Sequence, residues 1–228
     1  MEKLIYILGG DPQSTAKNFE AFKQEVVPAL QKAGASRIRI CIKDQQALAA
    51  SALQQGELAE NIWGYLSLWV DSRCQHATIK PLVERVCDFQ YGYAAAESEQ
   101  LFHDWEPNGK RACGMNQVVF FRHTPNLSRQ EFLDIWLNSH TQIAIDTQST
   151  FGYIQHIVGD KLDEDCPVFH AAVEENFPAA AMTSQEAFYE SKGDAESYQR
   201  NLTAMIESVF RFIDMESIIV LPMSEYNF

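Results

Sequence analysis

Two residues in the second half of the chain, His140 and Glu174, are the strongest candidates for chemistry. His140 lies in QEFLDIWLNSHTQIAID (residues 130–146), four residues after Trp136 and three before Ile143. These spacings place the imidazole on the apolar side of an amphipathic helix. Imidazole titrates near neutral pH, and a nearby carboxylate can fix its tautomer and stabilise the imidazolium. The pair therefore indicates proton transfer, with His140 as general acid or base and Glu174 orienting it.

A histidine on the buried side of a helix also has a simpler interpretation, because core histidines with one hydrogen bond are common. The first half of the chain offers a comparison. When its first helix is superposed in any plausible register, the partner of His140 is aliphatic: Val26, Val27 or Leu30. The architecture accepts a hydrocarbon at this position without a desolvation cost. This favours a functional role for His140.

Other side chains of the second half are candidates for binding a substrate. His170 and Glu174 are predicted to share one face of a strand, because side chains on a strand alternate between its two faces. We expect the apolar walls of a pocket to come from Phe121 and Trp136. The expected polar contacts come from the following residues: Tyr153, Gln155, His156 and His170. An aromatic or enolisable substrate would suit this lining.

Metal binding is the main alternative among enzyme mechanisms. His140, His156, His170 and Glu174 together could form a set of three histidines and one carboxylate. Only His170 and Glu174 lie at ligand spacing on one element, so we expect no metal. No P-loop or Gly-x-Ser-x-Gly motif occurs, and GGDP (residues 9–12) is too short for a dinucleotide loop. We therefore expect no cofactor.

The elements that position these residues follow the order β-α-β-β-α-β in each half. In the first half we predict helices at 15–33 and 78–89, with 45–59 either a short helix or a loop, and strands at 3–8, 36–43, 62–70 and 91–97. In the second half we predict a helix at 129–146, a helix at 183–211 broken at KGD, and strands at 118–123, 151–158, 168–177 and 215–222. The periodicities of apolar residues support these elements.

This double pattern predicts an α+β protein with two ferredoxin-like modules. The first module comprises residues 1–102 and the second residues 116–228, with a linker at 103–115 marked by a Pro-Asn-Gly turn. Each module leaves one face of its sheet bare, and two bare faces can bury each other. We therefore expect the modules to pair within one chain as a pseudo-dimeric α+β barrel.

Composition restricts the class of protein and its partners. The chain has 228 residues, 46% hydrophobic and 21% charged, as in ordinary globular proteins. Its net charge of −13 argues against nucleic acid or an anionic membrane as a partner. No apolar run approaches the ~20 residues of a membrane span, and the N-terminal run is too short for a signal peptide. Five scattered cysteines are typical of free thiols in a reducing cytoplasm, where we expect the protein to reside.

The second half resembles the EthD-type proteins of the dimeric α+β barrel superfamily. The stretch RHTPNLSRQEFLDIWLNSH (122–140) is similar to the family's basic strand end, proline-containing turn and Phe-x-x-x-Trp-x-x-x-His helix. FHAAVEENF (169–177) resembles its third strand, and FRFIDMESIIVLPMSE (210–225) its closing segment. The resemblance covers residues 117–225, whereas residues 1–100 fit only as a degenerate copy. The whole chain resembles a tandem form in which two modules are fused.

The resemblance implies a cavity between sheet and helices that binds a small apolar or aromatic molecule. The superfamily includes cofactor-free monooxygenases, polyketide cyclases, isomerases and dehydratases, although many EthD proteins have no assigned activity. We expect a cofactor-free enzyme of catabolic or secondary metabolism; the alternative is a non-catalytic binding or stress-associated barrel. Haem is a weaker alternative by analogy with the superfamily. His170 stands where the family commonly has Asp, and the fused chain could pair again as a homodimer.

Overall fold

Runs of β-branched and aromatic residues form the strands of a closed antiparallel barrel. The computed structural model describes residues 1–103 and 106–228, and this part of the chain contains eight strands. Their bounds are β1 Glu2–Gly9, β2 Ser36–Ile42, β3 Ile62–Val70, β4 Phe89–Leu101, β5 Met115–Phe121, β6 Gly152–Lys161, β7 Ala171–Phe177 and β8 Ile219–Asn227. The α+β class and the barrel are thus confirmed.

Around the barrel the strand order is β1-β3-β2-β8-β5-β7-β6-β4. The four strands of the first half are neighbours in the order β4-β1-β3-β2, and those of the second half in the order β8-β5-β7-β6. The halves meet where β2 pairs with β8, with Arg39 opposite Asn227, and where β4 pairs with β6, with Glu97 opposite His156. Because side chains alternate along a strand, each strand sends one set into the barrel and the other towards the helices.

Helices cover the outer faces of both halves. Their bounds are α1 Thr15–Ala21, α2 Val27–Lys32, α3 His76–Val83, α4 Arg129–Ile135, α5 Thr141–Thr147, α6 Gln185–Phe188 and α7 Ala195–Val209. A π-helical turn joins α1 to α2 (Phe22–Val26), and another joins α4 to α5 (Trp136–His140). Ser128 begins α4 with a capping box to Glu131, which fixes where this helix starts.

Four apolar clusters follow from this layering in the described part of the chain, and the smallest of them surrounds Phe177 and Phe188. One fills the barrel and contains Tyr65, Tyr93 and Phe120. A second lies beneath the helices of the first half, and a third, around Trp136 and Phe212, lies beneath those of the second half. Each side chain of a strand therefore belongs either to the barrel interior or to one helix-covered layer. This division decides which predicted residues meet.

Several element boundaries differ from those predicted. Strand β4 is longer than expected because it pairs with both β1 and β6. Residues 45–59 contain one 3₁₀ helix, Ala47–Leu53, and the start of another, Glu57–Asn61. Strand β7 begins at Ala171, so His170 precedes it. The predicted linker, 103–115, lies between β4 and β5 apart from its last residue, and its residues 104 and 105 are outside the described part of the chain.

The described ranges 1–103 and 106–228 include no helix that is both long enough and apolar enough to cross a membrane.

Candidate functional site

A cavity of about 330 Å³ lies between the helix-facing side of the second-half strands and the helices that cover them. Its floor is formed by alternate strand residues, among them Val119, Val173 and Val220. Because these residues have short side chains, they leave room beneath the helices. The size falls at the lower end of the range for small-molecule sites, which is roughly 300–1,000 Å³.

Four predicted site residues line this cavity: Phe121, Trp136, His140 and Tyr153. Phe121 meets the Trp136 ring edge-on with ring centroids 5.6 Å apart. Trp136 stacks in turn on Phe132, at 5.4 Å. These buried rings form a rigid aromatic wall, as expected for a site that binds apolar or aromatic molecules.

The first half of the chain closes one side of the cavity. Ala52, Leu53 and Gln55 from this half are part of the lining. Gln55 is held in place by two backbone hydrogen bonds with Val220 of β8, of 3.1 and 3.0 Å. The exposed side chains of Ile206 and Met215 also border the cavity and mark its mouth. The site therefore uses residues from both halves.

His140 is the last residue of the π-helical turn between α4 and α5, and it is 6% exposed. Its Nδ1 lies 2.9 Å from Oγ of Ser208 on α7, and its ring packs edge-on against Phe212 at 4.8 Å. Burial, followed by the nearby Arg211 guanidinium, lowers the pKa of His140 to about 4. The imidazole is therefore neutral at pH 7.

Ser208 and Arg211 form a chain of hydrogen bonds behind the imidazole. Arg211 Nη2 donates to Oγ of Ser208 at 2.9 Å and to Oγ of Ser139 at 3.0 Å. Among the described residues, Nε2 of His140 has no hydrogen-bond partner. Since His140 lines the cavity and Nδ1 is engaged, Nε2 is the ring nitrogen available to a bound molecule.

Glu174 lies on the other side of its strand, inside the barrel, so the predicted contact with His140 is not formed. Its carboxylate accepts hydrogen bonds from Tyr65 (2.8 Å) and His156 (2.8 Å) and pairs with Arg39 at 2.6 Å. Burial would raise the pKa of Glu174, but Arg39 and then His156 hold it well below its usual range. This carboxylate is thus a fixed charge that joins the two halves of the chain.

The neighbouring residue, Glu175, faces the cavity instead. It lies on the same side of β7 as Val173, and its side chain is 5% exposed. Burial raises the pKa of Glu175 to about 7, with the Gln117 amide opposing the shift. The sequence itself indicates which of the two glutamates faces the cavity. Ala171, Val173, Glu175 and Phe177 alternate with the more polar set Ala172, Glu174 and Asn176, so the more apolar side faces the helices.

The other predicted contacts lie outside the cavity lining. Gln155 faces the helices but donates to Thr141 Oγ1 (2.9 Å) and the Tyr153 hydroxyl (3.2 Å), so it supports Tyr153 from behind. His156 is inside the barrel with Glu174. His170 stacks on His123 at 4.3 Å and accepts its backbone N–H at 3.1 Å. It is only half-buried because it precedes strand β7.

These positions also bear on the metal alternative. His140, His156 and His170 occupy three separate surroundings, so the set of three histidines and one carboxylate does not converge. Within the described residues, the group whose ligand atoms are close enough to hold an ion is Asp163, Asp165 and Cys166. Asp163 is already bonded to Lys80 and Gln90, so part of its capacity is used.

Gln148 is a further residue of the cavity that sequence reasoning missed. It follows α5, is 3% exposed, and donates its backbone N–H to Ala144. Its side-chain Oε1 is buried without a hydrogen-bond partner in the described part of the chain. Buried amide oxygens nearly always have a partner, so this oxygen is an exception, and it is closed to the cavity that the rest of the side chain lines.

Neither a protein-family model nor a curated protein matches the chain. Solved structures do, over nearly the whole length. An anthrone oxidase-like protein aligns with TM-score 0.53 and 10% identity, covering 100% of this chain and 90% of that one. A dye-decolorizing peroxidase from Bacteroides thetaiotaomicron aligns with TM-score 0.52 and 8% identity, covering 99% and 92%.

A proposed monooxygenase from Fusobacterium nucleatum subsp. nucleatum is similar as well, with TM-score 0.54 and 8% identity over 99% of this chain and 93% of that one. Identities this low show the fold alone. Together with the closed barrel and its strand order, they give the chain the ferredoxin-like fold of the dimeric α+β barrel proteins.

Proposed function

We propose that the chain is a cofactor-free enzyme that binds a small, largely apolar molecule in this cavity and moves a proton on it. The observation that carries the proposal is the placement of two buried titratable groups, Glu175 and His140, on the wall of one cavity. The pKa of Glu175, about 7, matches the condition for general acid–base catalysis near neutral pH. The aromatic wall supports binding of a ring compound.

Glu175 takes the role of general base in this proposal, in place of Glu174. As a carboxylate, it removes a proton from the carbon beside a carbonyl group, or from a hydroxyl group, of the bound molecule. Returning that proton to another atom completes an isomerisation, and the same first step initiates a cyclisation or a dehydration. General acid–base catalysis of this kind contributes roughly 10²–10⁴-fold to the rate.

His140 complements Glu175 as a hydrogen-bond donor. Ser208 has no other acceptor for its hydroxyl proton among the described residues, and Arg211 already donates to its oxygen. We therefore assign the Ser208 proton to the bond with Nδ1, which places the imidazole proton on Nε2, facing the cavity. A neutral imidazole can then stabilise the negative charge that develops on the substrate oxygen.

The fold-level part of the proposal is that the chain is a fused pair of EthD-type modules, residues 1–102 and 116–228. Support comes from the strand order, in which each half keeps its own four strands together. Most of the cavity lining, including His140, comes from the proposed second module, while Ala52, Leu53 and Gln55 come from the first. A homodimer of the fused chain and a cytoplasmic location remain predictions.

A non-catalytic binding protein is the second candidate. One observation favours it: with a pKa of about 4, His140 is a weak base at neutral pH, so it could serve as a binding contact alone. The two candidates differ in what Glu175 does. A binding protein needs only the volume and the apolar lining of the cavity.

Haem, the weaker alternative, does not fit this cavity. None of the lining residues is Lys or Arg, so the haem carboxylates would have no cationic partner there. A volume of about 330 Å³ also suits a smaller ring compound better than a macrocycle.

Proton transfer can be tested without knowing the natural substrate. An enolisable bicyclic ketone such as 2-tetralone exchanges its α-hydrogens in D₂O, and NMR measures the rate with and without protein. We expect the wild type to accelerate exchange and Glu175→Gln to lose about 10²-fold or more of the acceleration. Glu164→Gln, at an exposed residue, is the matched control. Equal acceleration by Glu175→Gln and wild type would refute the role of Glu175.

A further inference from the structure

Gln117 and Glu175 form a polar pair on the floor of the cavity. Both residues line the cavity, and the register of β5 on β7 places them directly opposite each other. Side chains opposite each other on neighbouring strands have Cβ atoms about 4.5–5.5 Å apart, so the amide lies within reach of the carboxyl group. The next pair on this face, Val119 opposite Val173, is apolar. Gln117 is therefore the polar neighbour that β5 provides for Glu175.

The corresponding pair of the first half consists of two leucines. In each half the first strand pairs with the third, and the pair in question lies two residues inside the end of this pairing. Counted in this way, Leu4 lies opposite Leu68 in the first half, and both are fully buried in the apolar core. The first half thus folds with leucine at both positions, so the strands do not require an amide beside a carboxyl group there. The polar pair belongs to the cavity of the second half.

Glu175 is surrounded by groups that do not titrate near neutral pH. Among the described residues that line the cavity, the other titratable groups are His140, Tyr153 and Tyr189, and the part of α7 in the lining is apolar. Burial lowers the pKa of His140 to about 4 and raises the pKa of both tyrosines. All three groups are therefore neutral from about pH 6 to about pH 9. Burial raises the pKa of Glu175 to about 7, and the Gln117 amide opposes this shift because a donor to a carboxylate favours its charged form.

We infer that Gln117 is the positioning residue of the proposed base: its amide donates to the Glu175 carboxylate, directs it towards the cavity and sets the pH range in which it accepts a proton. The inference rests on the proposed function, because it concerns the same carboxyl group. A carboxylate has two oxygens, so one held by Gln117 leaves the other for the substrate. Gln117 therefore acts on the reaction only through Glu175.

The pH profile of ketone exchange tests the inference. Exchange of 2-tetralone is followed from about pH 6 to about pH 9, and the spontaneous rate without protein is subtracted. Gln117→Met keeps the length of the side chain and removes the donor. We expect the midpoint of the profile to rise by about one pH unit, so the rate at pH ~7 should fall about fivefold. At pH ~9 the variant should reach the wild-type rate, because Glu175 is then ionised in both proteins.

Two further variants and a second measurement complete the test. Gln142→Met makes the same substitution at an exposed position of α5, and it should leave both the rate and the midpoint unchanged. Gln117→Leu copies Leu4 of the first half and should move the midpoint in the same direction as Gln117→Met. Carbon-13 NMR of labelled glutamate side chains follows the titration of Glu175 without any substrate, and Glu175→Gln assigns its signal.

The outcomes separate the inference from the proposed function. A midpoint that stays at the wild-type value in both Gln117 variants would overturn the inference, while loss of exchange in Glu175→Gln would still support Glu175 as the base. A loss of rate that persists at pH ~9 would show that Gln117 shapes the cavity and does not act through protonation of Glu175, which also overturns the inference. If Glu175→Gln exchanges the ketone as fast as wild type, the proposed function fails. The NMR titration then decides whether Gln117 acts on the carboxyl group.

Discussion

The helix-covered layers of the two halves share a backbone feature but differ in what it carries. In each half a five-residue π-helical turn interrupts the first long helix, and its last residue is Val26 in the first half and His140 in the second. Around Val26 the space is filled by buried Phe22, Leu30 and their neighbours, with Phe228 packed against them. Around His140 lies a cavity.

This difference separates what the fold requires from what a site requires. The same turn accommodates a hydrocarbon in the first half, so the imidazole is not needed to form it. In the second half the imidazole is hydrogen-bonded to Ser208. It also lines the same cavity as the buried carboxyl group of Glu175. Polar groups placed together around a cavity, at a position where the first half packs buried apolar side chains, support the proposed site.

The barrel interior offers a second contrast, because its charged groups Arg39, Glu174 and Glu225 pair with one another across the two halves. We predict that Arg39→Met costs about 3–5 kcal/mol of the free energy of unfolding, since it leaves Glu174 and Glu225 buried without the guanidinium. Urea unfolding measures the loss. Arg73→Met removes an exposed ion pair with Asp160 that also joins the halves, and should cost only ~0–1 kcal/mol. Equal losses would show that burial of the network does not matter.

Replacing His140 by valine, the residue at the equivalent position of the first-half turn, tests directly whether the imidazole has a function. We predict that His140→Val lowers the rate of ketone exchange about 10²–10³-fold, the usual cost of losing one hydrogen-bond donor to a developing oxyanion. The protein should remain folded, as Val26 shows for the first half. Circular dichroism and the exchange assay together check this. A variant with an unaltered rate would leave His140 as a core residue only.

The fate of Glu174 and Glu175 shows how far sequence could lead. Glu174, on the third strand of the second half, was the only carboxylate predicted for the site, and its closeness to His140 was expected. Which of two adjacent carboxylates faces the helices depends on strand register, and a shift of one residue reverses the assignment. The alternation of apolar side chains along the strand favours Glu175 as the residue that faces the helices. His170, four residues before Glu174, instead suggested Glu174, because residues an even number apart share one face of a strand.

Other parts of the site were out of reach for a different reason. Ser208 is separated from His140 by 68 residues, and only the packing of α7 on α5 brings them together. Gln148 follows a helix end and carries no motif. By contrast, Phe121, Trp136, His140 and Tyr153 all line the cavity, because helical spacing and strand alternation fix their faces. The barrel itself was predictable from the repeated order of elements.

Glu175 provides a pH test of the cavity. With a pKa of about 7 when folded, against an ordinary value of 4.5 for a glutamate in the unfolded chain, Glu175 keeps its proton in the folded state where the unfolded chain has lost it. Its contribution to stability is therefore full below pH ~4.5 and declines as pH rises to about 7, by on the order of 2–4 kcal/mol. Glu175→Gln should abolish this decline in urea unfolding series at pH 5 and pH 8. A parallel pH dependence in both proteins would contradict the raised pKa.

The smallest expected effect comes from placing the imidazole where the first half has none. Val26 is fully buried among apolar side chains, whereas His140 in the second half is hydrogen-bonded to Ser208. We predict that Val26→His lowers the free energy of unfolding by about 1–3 kcal/mol at pH 8, the cost of burying an unpaired polar group. Burial depresses the pKa of such a histidine, so the loss should grow as pH falls below ~6.5, where the unfolded chain takes up the proton.

Urea unfolding of Val26→His at pH 8 and pH 5.5 measures both effects, and Val26→Leu serves as the apolar control. His140→Val is the reverse exchange, and it removes a buried imidazole whose pKa is about 4, so it should become more stable relative to wild type as pH falls. Opposite pH trends for the two variants would show that both turns lower the pKa of a buried imidazole, and the loss in Val26→His at pH 8 would measure the lack of a partner such as Ser208. If Val26→His were tolerated without loss at either pH, the first half could accept the imidazole as readily as the second. The difference between the two halves would then consist only of the cavity and of Glu175 in the second half.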